Sequence, residues 1–135
     1  MLAEDPHIAL ARQWLAKSRR DLMMAERAAT GEPPLLDMAA FHWQQAAEKA
    51  RKGYLAWSNR PFRRTHDLVE LLNQCVVVDG DFTQLRTAAD RLSPYAVEFR
   101  YPGAKSEPTA ADAVHAERLA RETLDFVLTR LPFLI

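Results

Sequence analysis

The sequence predicts an all-α domain. Three observations carry that expectation: only four glycines in 135 residues, eight prolines gathered at joints rather than spread through segments, and apolar residues recurring at helical spacing with few β-branched runs. Val76-Val77-Val78 is the one strand-like run, and at three residues before Asp79-Gly80 it finishes a helix rather than building a sheet.

Taken in order, the segments read as five helices. Asp5 and Pro6 suit the N-cap and first helical position, after which Leu15, Ser18, Leu22, Ala25 and Ala29 share a face until Gly31, Pro33 and Pro34 end the helix. A second helix starts near Leu36 or Asp37 and runs to Ser58 with a stripe of Trp43, Ala47, Ala50, Tyr54 and Trp57; Pro61 closes the connection that follows. Thr65 is expected to cap the third, with Asp67 in its first turn near the positive end of the helix dipole and Leu68, Leu71, Leu72 and Cys75 buried. Asp81 is expected to cap the fourth, whose stripe is Phe82, Leu85, Ala89, Leu92 and Ala96 and which Ser93-Pro94 breaks into a short extra turn. Phe99 to Pro108 reads as a loop. Thr109 and Asp112 form a capping box that opens the last helix, which packs through Ala113, Ala116, Ala120, Thr123 and Val127 and ends near Arg130. No repeat or linker interrupts residues 1–135, so one antiparallel bundle with short loops is expected.

Composition narrows the function classes. Lys and Arg total 18 against 18 Asp and Glu, so nothing global selects nucleic acid or a membrane surface, and any electrostatic preference must be local. The single cysteine, Cys75, excludes an intrachain disulfide and fits a reducing compartment. The N-terminal MLAEDPH lacks the features of a signal peptide, and Asp125 and Arg130 interrupt the short apolar tail LDFVLTRLPFLI. A cytoplasmic protein without a membrane span is expected.

Chemistry concentrates between Phe41 and Leu72. From Lys49 to His66 there are six cationic side chains (Lys49, Arg51, Lys52, Arg60, Arg63 and Arg64) and no acidic one. If the third helix began at Thr65, its unpaired amides would face the same turn, an arrangement suited to phosphate, with His66 adding a hydrogen bond or a proton. A plain solvated turn is the competing account. On the second helix Phe41, Gln45, Glu48, Lys52 and Leu55 share another face, flanked by His42 and Lys49, and Glu48 with Lys52 is expected to be an exposed i,i+4 pair. Were that pair buried, Arg100 could serve as a further partner. Phe99-Arg100-Tyr101-Pro102 places an arginine between aromatics, where stacking can hold its fork toward a carboxylate or phosphate, or where the two rings simply plug the bundle end. No metal or cofactor is expected: Glu4-x-x-His7 occurs once and contains Pro6, one cysteine cannot make a zinc pattern, and no glycine-rich phosphate loop or nucleophile elbow occurs.

Phe41, Gln45, Ala46-Ala47-Glu48-Lys49 and Lys52, then Thr65-His66-Asp67-Leu68, then Arg100-Tyr101-Pro102, resemble in order and spacing the HEPN family of small helical domains associated with nucleotide binding. The resemblance implies an up-down four-helix bundle with a fifth short helix, usually a homodimer. Its members are often encoded beside a minimal nucleotidyltransferase, and several are ribonucleases or toxins neutralised by that partner. It implies a nucleotide or RNA phosphate ligand, with Lys52, Arg63, Arg64, His66 and Arg100 as contacts and Glu48 and Tyr101 in support. Ribonuclease members carry Arg, four to six residues, then His. Arg60 and His66 have that spacing, whereas Lys105, Ser106 and Glu107 stand where Arg100 would need its histidine. A ribonuclease toxin using Arg60 and His66, and a purely structural bundle docking through helix two and Leu131-Pro132-Phe133-Leu134-Ile135, are the alternatives.

Overall fold

A computed structural model describes residues 4–62, 65–99, 102 and 107–134. They form an all-α fold with no strand among them: α1 (Pro6–Thr30), α2 (Leu36–Trp57), α3 (Leu68–Val78), α4 (Arg86–Leu92) and α5 (Ala110–Thr129), with 3₁₀ turns at Gly80–Leu85, Ser93–Ala96 and Pro132–Leu134. Much of the predicted loop from Phe99 to Pro108 lies outside the described residues.

The longest helices form an antiparallel pair. Trp14 lies against Lys52, Ser18 bonds Ala46 and Asp21 meets His42, so the chain rises along α1 as it falls along α2. Gly53 sets their separation: a Cβ there would sit 3.3 Å from atoms of both Leu15 and Trp14. Ser18 occupies the apolar stripe at no loss because its hydroxyl donates to the Ala46 carbonyl at 2.7 Å.

Two predicted caps move. α3 begins at Leu68, not Thr65: Asp67 is its N-cap, accepting from the amides of Val69 (2.9 Å) and Glu70 (3.4 Å), while Thr65 Oγ1 accepts from the Asp67 amide. A carboxylate makes the charge-assisted and therefore stronger cap. In the same way Asp79, not Asp81, caps the turn Gly80–Leu85. The carboxylates of Asp79 and Asp81 then hold Arg130 at the end of α5, at 3.5 and 3.0 Å. Asp5 precedes Pro6 as expected but caps through its backbone, its carbonyl accepting from Ile8 and Ala9. The Thr109–Asp112 capping box forms in full.

Trp43, Phe82, Leu15, Leu55, Leu72 and Leu92 are among the fully buried side chains. Phe82 links the layers, with its ring 4.4 Å from Tyr54 on α2 and 5.0 Å from Phe126 on α5. Arg51 is the anomaly of this core. It is fully buried, Nη1 reaches only the Ala47 carbonyl at 3.4 Å, and Nε and Nη2 have no hydrogen-bond partner. Burial lowers its pKa to about 10, and burial likewise pushes the neighbouring Cys75 thiol up to about 12.

An unpaired buried charge opposes folding. Arg51→Met should therefore raise the unfolding free energy in denaturant titration, by about 1–4 kcal/mol if it behaves as other buried charges do when replaced by apolar side chains. A lowered value would show that the guanidinium contributes to stability.

Candidate anion-binding site

Glu48 organises the site. Its side chain projects from the middle of α2 and is almost wholly buried, yet both carboxylate oxygens are engaged. Oε1 is 2.7 Å from His66 Nδ1 and accepts longer bonds, 3.4 Å each, from the amides of Gln44 and Gln45; Oε2 accepts from Lys52 Nζ at 3.0 Å. Gln44 also donates to the His66 carbonyl at 3.0 Å, which pins the segment before α3 onto α2. The Glu48–Lys52 pair predicted as exposed is thus internal. Buried ions persist where every lone pair has a donor, and four side chains supply them here.

Lys52 is enclosed as well. Its ammonium lies 5.4 Å from the Trp14 ring and 5.9 Å from the Phe62 ring, and the two rings meet edge to face at 5.9 Å. His66, by contrast, keeps 62% of its side chain exposed. With Nδ1 against Glu48, it is Nε2 that remains for a ligand.

Among the described residues, the cations of the run do not gather into one patch. Lys49 bonds Asp21, Lys52 bonds Glu48 and Arg51 is in the core. Arg60 lines a separate groove with Pro6, His7, Leu10 and Phe62, and no hydrogen bond or ion pair joins it to His66 among the described residues. Arg63, Arg64, Arg100 and Tyr101 lie outside the described residues. The expected cradle of free α3 amides does not form: Leu68 N donates to Ser93 Oγ at 2.6 Å, and Asp67 takes the next two. Among the described residues no group of three or more His, Cys, Asp or Glu is arranged to hold a metal, and Glu4 pairs with Arg12 instead. Sequence reasoning missed Gln44 and Trp14. A glutamine on a helix face that must be buried was the available signal.

The HEPN domain family matches residues 11–130. The chain belongs to the HEPN family. A solved structure, TT1696 from Thermus thermophilus, is 32% identical with a TM-score of 0.74, over 90% of this chain and 98% of that one. No curated protein matches it. HEPN membership connects the chain with nucleotide- or RNA-related function in general, and HEPN domains bind RNA and form dimers. Among the described residues, no helix is long and apolar enough to cross a membrane.

In this HEPN chain Glu48 is expected to contribute more to stability than His66, which is one of its four donors. Glu48→Ala strands the Lys52 charge in an apolar box and should cost about 3–5 kcal/mol in denaturant titration. His66→Ala removes a mostly exposed ring, leaves Glu48 its lysine and glutamine donors, and should cost less, about 1–2 kcal/mol. Equal losses would contradict the assignment of Glu48 as the centre.

Proposed function

We propose that this chain is a homodimeric cytoplasmic HEPN domain that recognises a nucleotide or RNA phosphate, acting with a nucleotidyltransferase partner in a toxin–antitoxin-like pair. The observation that carries the reading is the exposed His66 ring held by the buried Glu48, two residues after Arg64 and three after Arg63 in sequence. An oriented imidazole, a donor at Nε2 in its protonated form, follows two arginines closely in sequence, and the carboxylate behind it turns both oxygens inward, where they do not repel the ligand. Arg63, Arg64, His66 and Arg100 are the proposed contacts. Lys52 and Glu48 hold the wall against which the ligand rests, and Tyr101 supports Arg100.

One observation favours a second reading, in which the same contact performs RNA cleavage. A carboxylate on Nδ1 is how a general-base histidine is oriented. Arg60 would then have to come from a second subunit.

Titration with AMP and with short RNA should show saturable binding that weakens with salt and with His66→Ala or Arg64→Ala. Affinity indifferent to salt and to both substitutions would overturn the phosphate reading. Cleavage of the RNA that disappears in His66→Ala would establish the second.

A further inference from the structure

A groove of about 640 Å³ lies where the end of α4 and the turn Ser93–Ala96 meet the first turns of α5. It shares no lining residue with the cluster around Glu48. Its floor is apolar, made by the buried Leu92, Ala116 and Leu119. Tyr95 and Phe99 edge it with rings 5.4 Å apart. Among the described residues four carboxylates rim it, those of Asp90, Glu98, Glu107 and Asp112, against the single guanidinium of Arg91. In a chain whose formal charges balance, that is a local negative excess.

The fold does not answer that excess. Asp112 accepts from the Thr109 amide at 2.9 Å, but among the described residues no hydrogen bond or ion pair engages the carboxylates of Asp90, Glu98 or Glu107. Burial, and after it the charges of Asp112 and Glu98, holds the Tyr95 phenol above its ordinary pKa, with Arg91 offsetting part of the rise. The rim charges are therefore felt inside the groove. They do not converge: among the described residues no three acidic, histidine or cysteine side chains are arranged to hold a metal. Separated carboxylates suit cations spread along a ligand rather than one ion. From Asp112 to Leu119 the α5 wall rises about 10 Å, or two turns. Lysine and arginine match such a surface, since their stems cover apolar area while their heads reach the rim.

We infer that this groove docks a short basic, amphipathic segment of a protein partner. Aliphatic side chains of the segment lie on Leu92, Ala116 and Leu119, and its lysine or arginine heads meet Asp90, Glu98 and Glu107. Tyr95 and Phe99 offer ring faces to the same cations. The inference stands apart from the phosphate reading. An acidic rim repels a nucleic acid, so this face and the His66 face take ligands of opposite charge.

The probe is a short synthetic peptide of leucine and lysine at helical spacing, titrated into the full chain by calorimetry. Two analogues accompany it, one with glutamine for lysine and one with serine for leucine. The parent should bind, weaken with salt, and exceed each analogue by about tenfold. Asp90→Asn/Glu98→Gln/Glu107→Gln should also weaken the parent about tenfold. Glu117→Gln/Glu122→Gln/Asp125→Asn makes the same charge change elsewhere on α5 and should leave binding as it was. All six carboxylates are at least partly exposed, so both variants should keep their helical circular dichroism. Equal losses in the two variants, a serine–lysine analogue as tight as the parent, or no binding of the parent would overturn the inference. Spermidine binding as tightly as the peptide would assign the groove to a free polyamine, and a changed oligomeric state in the groove variant would assign it to a second copy; either result also overturns it. His66→Ala should bind the peptide as the wild-type chain does, so loss of AMP or RNA binding there bears on the phosphate reading alone.

Discussion

Taking a carboxylate out of water costs several kcal/mol unless donors replace the lost hydration, and Glu48 meets that cost in the middle of α2, where it is almost wholly buried. Its four donors come from two directions. Gln44, Gln45 and Lys52 lie on its own helix within four residues, and His66 comes from the segment that leads into α3. Satisfying Glu48 therefore fixes where α3 begins relative to α2. The Gln44 bond to the His66 carbonyl and the Ser93 bond to the Leu68 amide hold that junction from opposite sides.

The α1–α2 seam depends on a second set of polar contacts embedded in small residues. Ala46, Ala47, Ala50 and Gly53 leave little side chain on α2, so α1 approaches closely enough for Ser18 to reach a backbone carbonyl and for Asp21 to reach across to His42 and Lys49. Apolar contact between alanines is non-directional. Hydrogen bonds at Ser18 and Asp21 supply register, since sliding α1 by one turn would separate both from their partners.

Periodicity and proline placement made the helices legible, and the buried stripes Leu15–Ser18–Leu22–Ala25 and Phe82–Leu85–Ala89–Leu92 are found as read. The exchange of Thr65 for Asp67 and of Asp81 for Asp79 as caps was not legible, because each pair lies within two residues and both members of each are N-cap residue types. The site was legible in its residues but not in its state. Glu48 and Lys52 fit an exposed ion pair by spacing alone, and only the approach of Trp14, Phe62 and His66 from elsewhere in the chain buries them. Asp21 carried a signal that went unused: an acidic residue between Ser18 and Leu22 on a buried face requires a cationic partner. Arg51 defeats the same rule, since among the described residues no carboxylate pairs with it.

Dispersal of the cationic run changes how an anion would be recognised. A helix N-terminus offers amides to any phosphate, but in α3 the first amides are already bonded to Ser93 and Asp67, and the Asp67 carboxylate adds a repelling charge there. Recognition must then come from side chains, whose positions are set by the tertiary structure instead of by helix geometry. Side chains held by buried carboxylates have little freedom left to lose, so contact with a ligand demands little further ordering. The same carboxylates neutralise much of the charge they position, which suits a chain whose formal charge is zero. Such a surface discriminates by the directions of its donors more than by its net potential.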